Sequence, residues 1–224
     1  MENIYITAVP LPSNFHLKSQ EITNVTGIQG IRCDDQLFFP VTRLIEATMD
    51  KEDTALVISV RQVNIAEDVN YNFNLLKKDI DSLKIRYNII DLTIPENQES
   101  GQLLELFQRI AAKVKPFCNI FADSTFGTKT YPLVLFSILQ YAEKVKMCQV
   151  QTVIYQEQRR DSITHRPTGT YLWDISSLFY LTNVVNSLSP LNTNDNTELE
   201  LMIQQKDDLL TVLLNLDNPD TDGK

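Results

Sequence analysis

The chain has 224 residues, 43% of them hydrophobic, and a formal net charge of −9. That length accommodates one large α/β domain, or one domain with an appended segment, and the acidic balance argues against a general duplex nucleic-acid binder. No apolar run approaches the roughly 18 residues of a membrane span. Cys33, Cys118 and Cys148 show no zinc spacing with His16 or His165, so neither a metal nor a cofactor is expected, and widely spaced cysteines fit a reducing cytoplasm.

The opening MENIYITAVPLP lacks a basic leader region, and Asn3 to Val9 reads as the first strand, with a turn at Pro10 to Pro12. Leu37 to Met49 reads as a helix: Phe39, Val41, Leu44, Ile45 and Thr48 fall at helical spacing, and Pro40 is tolerated in a first turn. Thr54 to Val60 is a near-continuous apolar strand, as expected where both sheet faces are covered. A charged helix within Asn70 to Leu83 and a strand over Tyr87 to Leu92 follow. After the polar turn Pro95 to Gly101, Gln102 to Val114 forms an amphipathic helix with Leu103, Leu106, Phe107, Ile110 and Val114 on one face. Phe117 to Ala122 reads as a buried strand containing Cys118, Leu133 to Tyr141 as a helix, Gln149 to Tyr155 as a strand, and Asp174 to Leu188 as an apolar helix.

Strands separated by helices imply βαβ units. The fold class is α/β: a Rossmann-like, doubly wound, largely parallel sheet with a C-terminal helical segment. The domain is expected over 1–190, a linker and helix over 191–216, and a disordered tail over 217–224. In the second segment Leu199, Met202, Leu209, Leu213 and Leu216 fall near heptad spacing. Packing on the chain's own domain, pairing across a dimer and a lead into a further domain all fit that stripe. Neither GxGxxG after the first strand nor GxxxxGK[ST] anywhere is present, which disfavours dinucleotide-binding and P-loop enzymes.

The densest chemistry lies between the strand ending at Ala122 and the helix beginning near Leu133. There Asp123, Ser124, Thr125, Gly127, Thr128, Lys129 and Thr130 combine short hydroxyls with one glycine and one cation. In open α/β sheets ligands bind beyond the carboxyl ends of the strands, and a helix N-terminus offers N–H groups and a positive dipole end to phosphate. A plain N-cap role for Asp123, Ser124 or Thr125 is the structural alternative. It leaves Gly127 and Lys129 unexplained. From Lys113 to Arg166 eight cations face four anions, a local +4 on a body of −13, which suits a small anionic ligand.

These features resemble the CRISPR-associated Rossmann-fold (CARF) domains, which sense cyclic oligoadenylates in type III CRISPR immunity. The resemblance runs through YITAVPLPSN (Tyr5 to Asn14), LFFPVTRLIEA (Leu37 to Ala47) with TALVISVRQ (Thr54 to Gln62), IPENQESGQLLELFQRI (Ile94 to Ile110) and FADSTFGTKTYPLVLF (Phe121 to Phe136). One branch of the family carries D-x-T-H-G-[FL]-R-[ST]-x-P at the last of these. This chain keeps Asp123, Thr125, Gly127 and Pro132, with Phe126 in place of the histidine and Lys129 in place of the arginine. VIYQEQ (Val153 to Gln158) and GTYLWDISSLFYL (Gly169 to Leu181) are similar to that branch's final strand and closing helix.

The resemblance implies a homodimer binding cyclic tetra- or hexa-adenylate across a two-fold interface, with no duplex nucleic acid and no membrane. Carried over, the ligand-binding residues are Val9, Pro10, Leu11 and Asn14 of the first loop and Asp123, Ser124, Thr125, Phe126, Gly127, Thr128 and Lys129 of the signature loop. Backbone amides and Lys129 meet phosphates, hydroxyls meet ribose, and Phe126 or Phe15 stacks on adenine. The family couples this sensor to an effector, so a fused or missing effector domain is implied. An Arg159, Arg160 and His165 echo of a HEPN ribonuclease motif falls within the sensor and is discounted. The alternative is a stand-alone, metal-independent ring nuclease in which Lys129 stabilises charge and Asn14, Ser124 or Thr125 orients the ribose hydroxyl. No catalytic residue is assigned. An unrelated α/β nucleotide enzyme ranks last.

Overall fold

A computed structural model describes residues 2–10, 17–34, 36–50, 52–62, 69–94 and 99–188. Leu11, Asn14 and Phe15 lie outside the described residues, as do the expected linker, leucine-bearing helix and tail. The chain divides into two units, Met1–Asp174 and Ile175–Lys224.

The first unit runs β1 (Asn3–Ala8), β2 (Asn24–Thr26), α1 (Pro40–Thr48), β3 (Thr54–Gln62), α2 (Val69–Ser82), β4 (Arg86–Ile94), α3 (Ser100–Ala111), β5 (Asn119–Asp123), α4 (Tyr131–Lys146), β6 (Gln149–Arg160) and β7 (Pro167–Asp174). Among the described residues the strands form one seven-stranded sheet in the order β2-β7-β6-β5-β1-β3-β4. All neighbours are parallel except β6 and β7. This is the expected Rossmann-like α/β architecture. In the second unit the described residues form α5 (Ser176–Leu188), an apolar helix.

Period-two alternation sets the layers. Tyr5, Ala55, Val57 and Phe121 point to one face, where they meet Val41, Leu44 and Ile45 of α1 and Leu76 and Ile80 of α2. Ile4, Ile6, Ile58 and Ile120, all wholly buried, point to the other face. There α3 and α4 pack on β4 and β6 through Leu106, Ile110, Leu135, Ile138 and Leu139. Each such side chain taken from water contributes about 1.5–3 kcal/mol. Among the described residues no helix is long and apolar enough to cross a membrane.

Several boundaries differ from expectation. Helix α1 starts at Pro40, with Phe39 as its extended N-cap; the ring fixes φ and sits where no N–H is needed. Phe117 is no part of a strand: its φ is +55° and it is 66% exposed, while Cys118 just before β5 is buried. Helix α4 begins two residues earlier than read, with Pro132 in its first turn. Strands β2 and β7 add an edge to the sheet that the apolar pattern did not announce.

Arg43 shows how the long β1–α1 connection is held. Its side chain is almost wholly buried, and its guanidinium donates to the carbonyls of Gln20 (2.8 Å), Asp34 (2.7 Å), Leu37 (3.2 Å) and Arg32. Burial lowers its pKa, partly offset by Asp34. One buried cation thereby satisfies carbonyls that a loop cannot pair within itself.

Candidate functional site

Sheet order reverses between β1 and β5. From β1 the chain builds outward through β3 and β4, then returns to β5 on the other side of β1 and continues outward to β6. Such a switch point opens a crevice at the carboxyl ends of the two strands. The loops that leave β1 (Val9, Pro10) and β5 (Ser124 to Thr130) both start there.

Asp123 is the last residue of β5, and it is fully buried. Its carboxylate accepts hydrogen bonds from the Thr125 N–H (2.9 Å), the Thr7 hydroxyl (3.1 Å) and the Val41 N–H (3.2 Å). Burial pushes its pKa up, and the bonds from Thr125, Thr7 and Val41 pull it back. The expectation that Asp123 touches a ligand is therefore corrected: a wholly buried carboxylate with three internal donors shapes the loop instead. Thr125 ties the same loop sideways, its hydroxyl accepting the Gln156 N–H at 2.9 Å, and the Ser124 N–H donates to the Ile154 carbonyl at 2.9 Å. Neither these residues nor Asp123 caps α4; its N-cap is Thr130, with no side-chain cap hydrogen bond. Phe126 packs against the core and meets Phe39 edge to face at 5.7 Å. Its ring is thus partly engaged from below.

Beyond Phe126 the loop turns outward. Gly127 has φ +109°, and a Cβ placed on it would lie 3.0 Å from the Cβ of Ala8 and 3.0 Å from both Cβ and Cδ1 of Tyr131. Only glycine lets the loop pass between the end of β1 and the start of α4. Thr128 and Thr130 share a hydroxyl hydrogen bond of 3.0 Å. Among the described residues no acceptor takes the N–H groups of Gly127, Thr128 or Lys129, and the exposed Lys129 has no ion pair.

The two helix N-termini near the crevice contrast sharply. At α1 the buried Asp79 of α2 accepts from the Phe38 and Phe39 N–H groups (2.7 and 2.9 Å) and from the Thr42 hydroxyl (3.2 Å), while Asp123 takes Val41. Burial raises the Asp79 pKa against those bonds. That positive end is already filled by the protein's own carboxylates. Among the described residues no carboxylate occupies the N-terminus of α4 in that way, and it adjoins Lys129.

Below the loop lies a recess of about 10 Å³, room for one water. Ala8, Val9, Val60, Gln62, Ile94, Gly127 and Thr128 contribute to its walls, together with Arg61 and Tyr131, which the sequence reading did not single out. Arg61 chelates Asp91 (2.7–2.9 Å) and lies 5.0 Å over the Phe73 ring. The Tyr131 hydroxyl is buried with no partner among the described residues, and burial together with the Asp123 charge holds its pKa well above the ordinary value. Both residues could have been found from their position, one at the end of β3 and the other opening α4. Among the described residues no three His, Cys, Asp or Glu side chains gather as a metal site.

Of the expected site residues the recess brings together Val9, Gly127 and Thr128; Ser124 and Thr125 are tied toward β6, and Pro10 and Lys129 adjoin the recess residues in sequence. Chemically the arrangement offers amides without acceptors among the described residues, hydroxyls and an exposed lysine, groups suited to an anion, on a surface that is shallow in a single chain. No known family model matches this chain, and no curated protein is similar to it.

Proposed function

We propose that this domain is a CARF-like sensor that binds a cyclic oligoadenylate across the two-fold axis of a cytoplasmic homodimer, as part of a type III CRISPR antiviral accessory protein. The observation that carries the reading is the N–H run Gly127 to Lys129, without an acceptor among the described residues, leading into α4 and set against the end of β1 at the switch point. Free amides and a lysine suit phosphates, and the threonine hydroxyls suit ribose. A shallow half-site is what a symmetric ring needs from each chain, because an isologous dimer doubles every contact.

Calorimetry with cyclic tetra- and hexa-adenylate against linear oligoadenylate tests this. A ring binds at micromolar concentration or tighter and the linear form binds more weakly. Lys129→Ala weakens ring binding by about 1.5–3 kcal/mol per contact and flattens the salt dependence, with the melting temperature unchanged. Absence of ring binding overturns the reading, and unchanged affinity in Lys129→Ala removes the lysine from it. Incubation with labelled ring in EDTA separates a sensor from a ring nuclease, which releases linear product.

A further inference from the structure

The pairing of β5 with β6 ends at Asp123 and Ile154, yet β6 and β7 stay paired to Arg160 and Pro167. The ribbon from Tyr155 to Arg160 therefore extends past the end of β5 by roughly 20 Å, at about 3.3 Å per residue, and its last residues, Gln158 to Arg160, pass the ends of β3 and β4 as well. It rises beside the signature loop, joined to it by the Thr125 to Gln156 hydrogen bond. On its outer edge β2 pairs with Tyr171 to Trp173, so the arm is three strands wide at its base.

Ile154 and Leu172 face the α1 side of the core. By alternation Tyr155, Glu157 and Arg159, with their partners Trp173, Tyr171 and Gly169, face the side that α4 covers. These residues form a ladder. Tyr171 and Trp173 stack at 5.9 Å with 11° between planes, and the Arg159 guanidinium lies 4.3 Å over Tyr171 and 5.8 Å from Trp173. Glu157 fixes both ends, accepting from Arg159 Nε at 3.3 Å and from Trp173 Nε1 at 3.2 Å. Tyr155 beside Trp173 is 41% exposed, and the Arg159 side chain is 49% exposed.

We infer that this arm is a base-stacking platform, on which the outward face of the Arg159 guanidinium receives a purine of the oligonucleotide held at the loop. The identity of that oligonucleotide rests on the sensor reading above. The guanidinium sits at the solvent end of the ladder, one face against Tyr171 and its side chain half exposed. Guanidinium planes backed by aromatic rings are stacking surfaces for unpaired bases. Charge agrees: Arg160 and Arg166 are exposed on the same arm, while the Asp161 carboxylate is spent on the Ile163 and Thr164 amides and the Thr164 hydroxyl of its own turn. From Tyr155 to Trp173 the three arginines stand against Glu157 and Asp161, a formal excess of one positive charge on an acidic protein.

Trp173 is the single tryptophan of the chain, and Glu157 links it to Arg159, so indole emission reports on the platform directly. Cyclic tetra- or hexa-adenylate titrated into the protein quenches that emission along the calorimetric binding curve. Arg159→Ala weakens binding about tenfold. Arg159→Lys, which keeps the charge and loses the planar face, weakens it as much. Ring binding with unmoved emission and unchanged affinity in Arg159→Ala overturns the inference and leaves the sensor reading standing. Full rescue by Arg159→Lys also overturns it, because charge alone then suffices. If calorimetry shows no ring binding, the sensor reading fails, and linear oligoadenylate and AMP decide the arm: quenching by either sustains the platform, and silence from both refutes it.

Discussion

Replacing Gly127 by alanine tests the site's architecture at its tightest point. Two costs combine. The backbone sits at φ +109°, a region that an L side chain enters at a cost of about 1–2 kcal/mol. The new Cβ would stand 3.0 Å from three atoms belonging to Ala8 and Tyr131, each 1% exposed and packed in place, so neither side can give way cheaply. Overpacking of that kind costs about 1–3 kcal/mol. Together these amount to about 2–5 kcal/mol, and at about 2–4 °C per kcal/mol for a chain of this size the melting temperature falls by roughly 10 °C. Gly101 is the control. A Cβ there meets nothing within 4 Å, and the residue lies in α3, so Gly101→Ala leaves stability unchanged or raises it by up to about 1 kcal/mol. Thermal unfolding of both variants by circular dichroism gives the answer. A Gly127→Ala protein melting within about 2 °C of wild type would refute the claim that the loop is wedged between β1 and α4. Ring affinity in Gly127→Ala falls more than in Lys129→Ala, because the whole run of free amides moves.

Two further outcomes follow from buried groups. Burial raises the Asp79 pKa in the folded protein, whereas an unfolded aspartate titrates near about 3.9. Its protonated form is the one the fold favours, so its contribution is full below that value and is lost as pH rises through the raised pKa. In urea unfolding at a series of pH values, the stability of wild type relative to Asp79→Asn therefore declines as pH rises from about 4 toward neutrality; an advantage that grows over that span refutes the assignment. The thiols differ in the same way. Cys33 is exposed, whereas Cys118 and Cys148 are buried with sulfurs 3.2 Å apart, and burial followed by the Cys148 contact pushes Cys118 up to about 12. In native protein a thiol-reactive dye labels Cys33 promptly and the other two only on unfolding; equal rates at all three contradict the burial.

The sheet was legible in the sequence because its parallel strands are covered on both faces, so β1, β3 and β5 read as apolar runs and α1 and α3 as periodic ones. Strand β2 was not, since its three residues are held by pairing to β7 rather than by an apolar face. In the β6–β7 arm Leu172 joins the core while Tyr171 and Trp173 are only partly buried, so the apolar residues there do not mark one covered face. In the loop after β5, Gly127 stands out by residue type alone, and its φ of +109° between Ala8 and Tyr131 gives the reason. Asp123 was misjudged because its three donors come from β1, α1 and the loop, and Asp79 was passed over because it caps a helix from another element. Long-range capping leaves no local pattern. The buried Arg43 shows the same limit: its acceptors are carbonyls that any residue supplies.

The central claim is that two chains share one ring at the crevice between β1 and β5. Native mass spectrometry of the protein mixed with cyclic tetra- or hexa-adenylate tests it most directly. The account predicts a species of two chains and one ring, lost in Lys129→Ala at the same concentrations. Chains that remain ring-free, or that each carry a ring of their own, would contradict it.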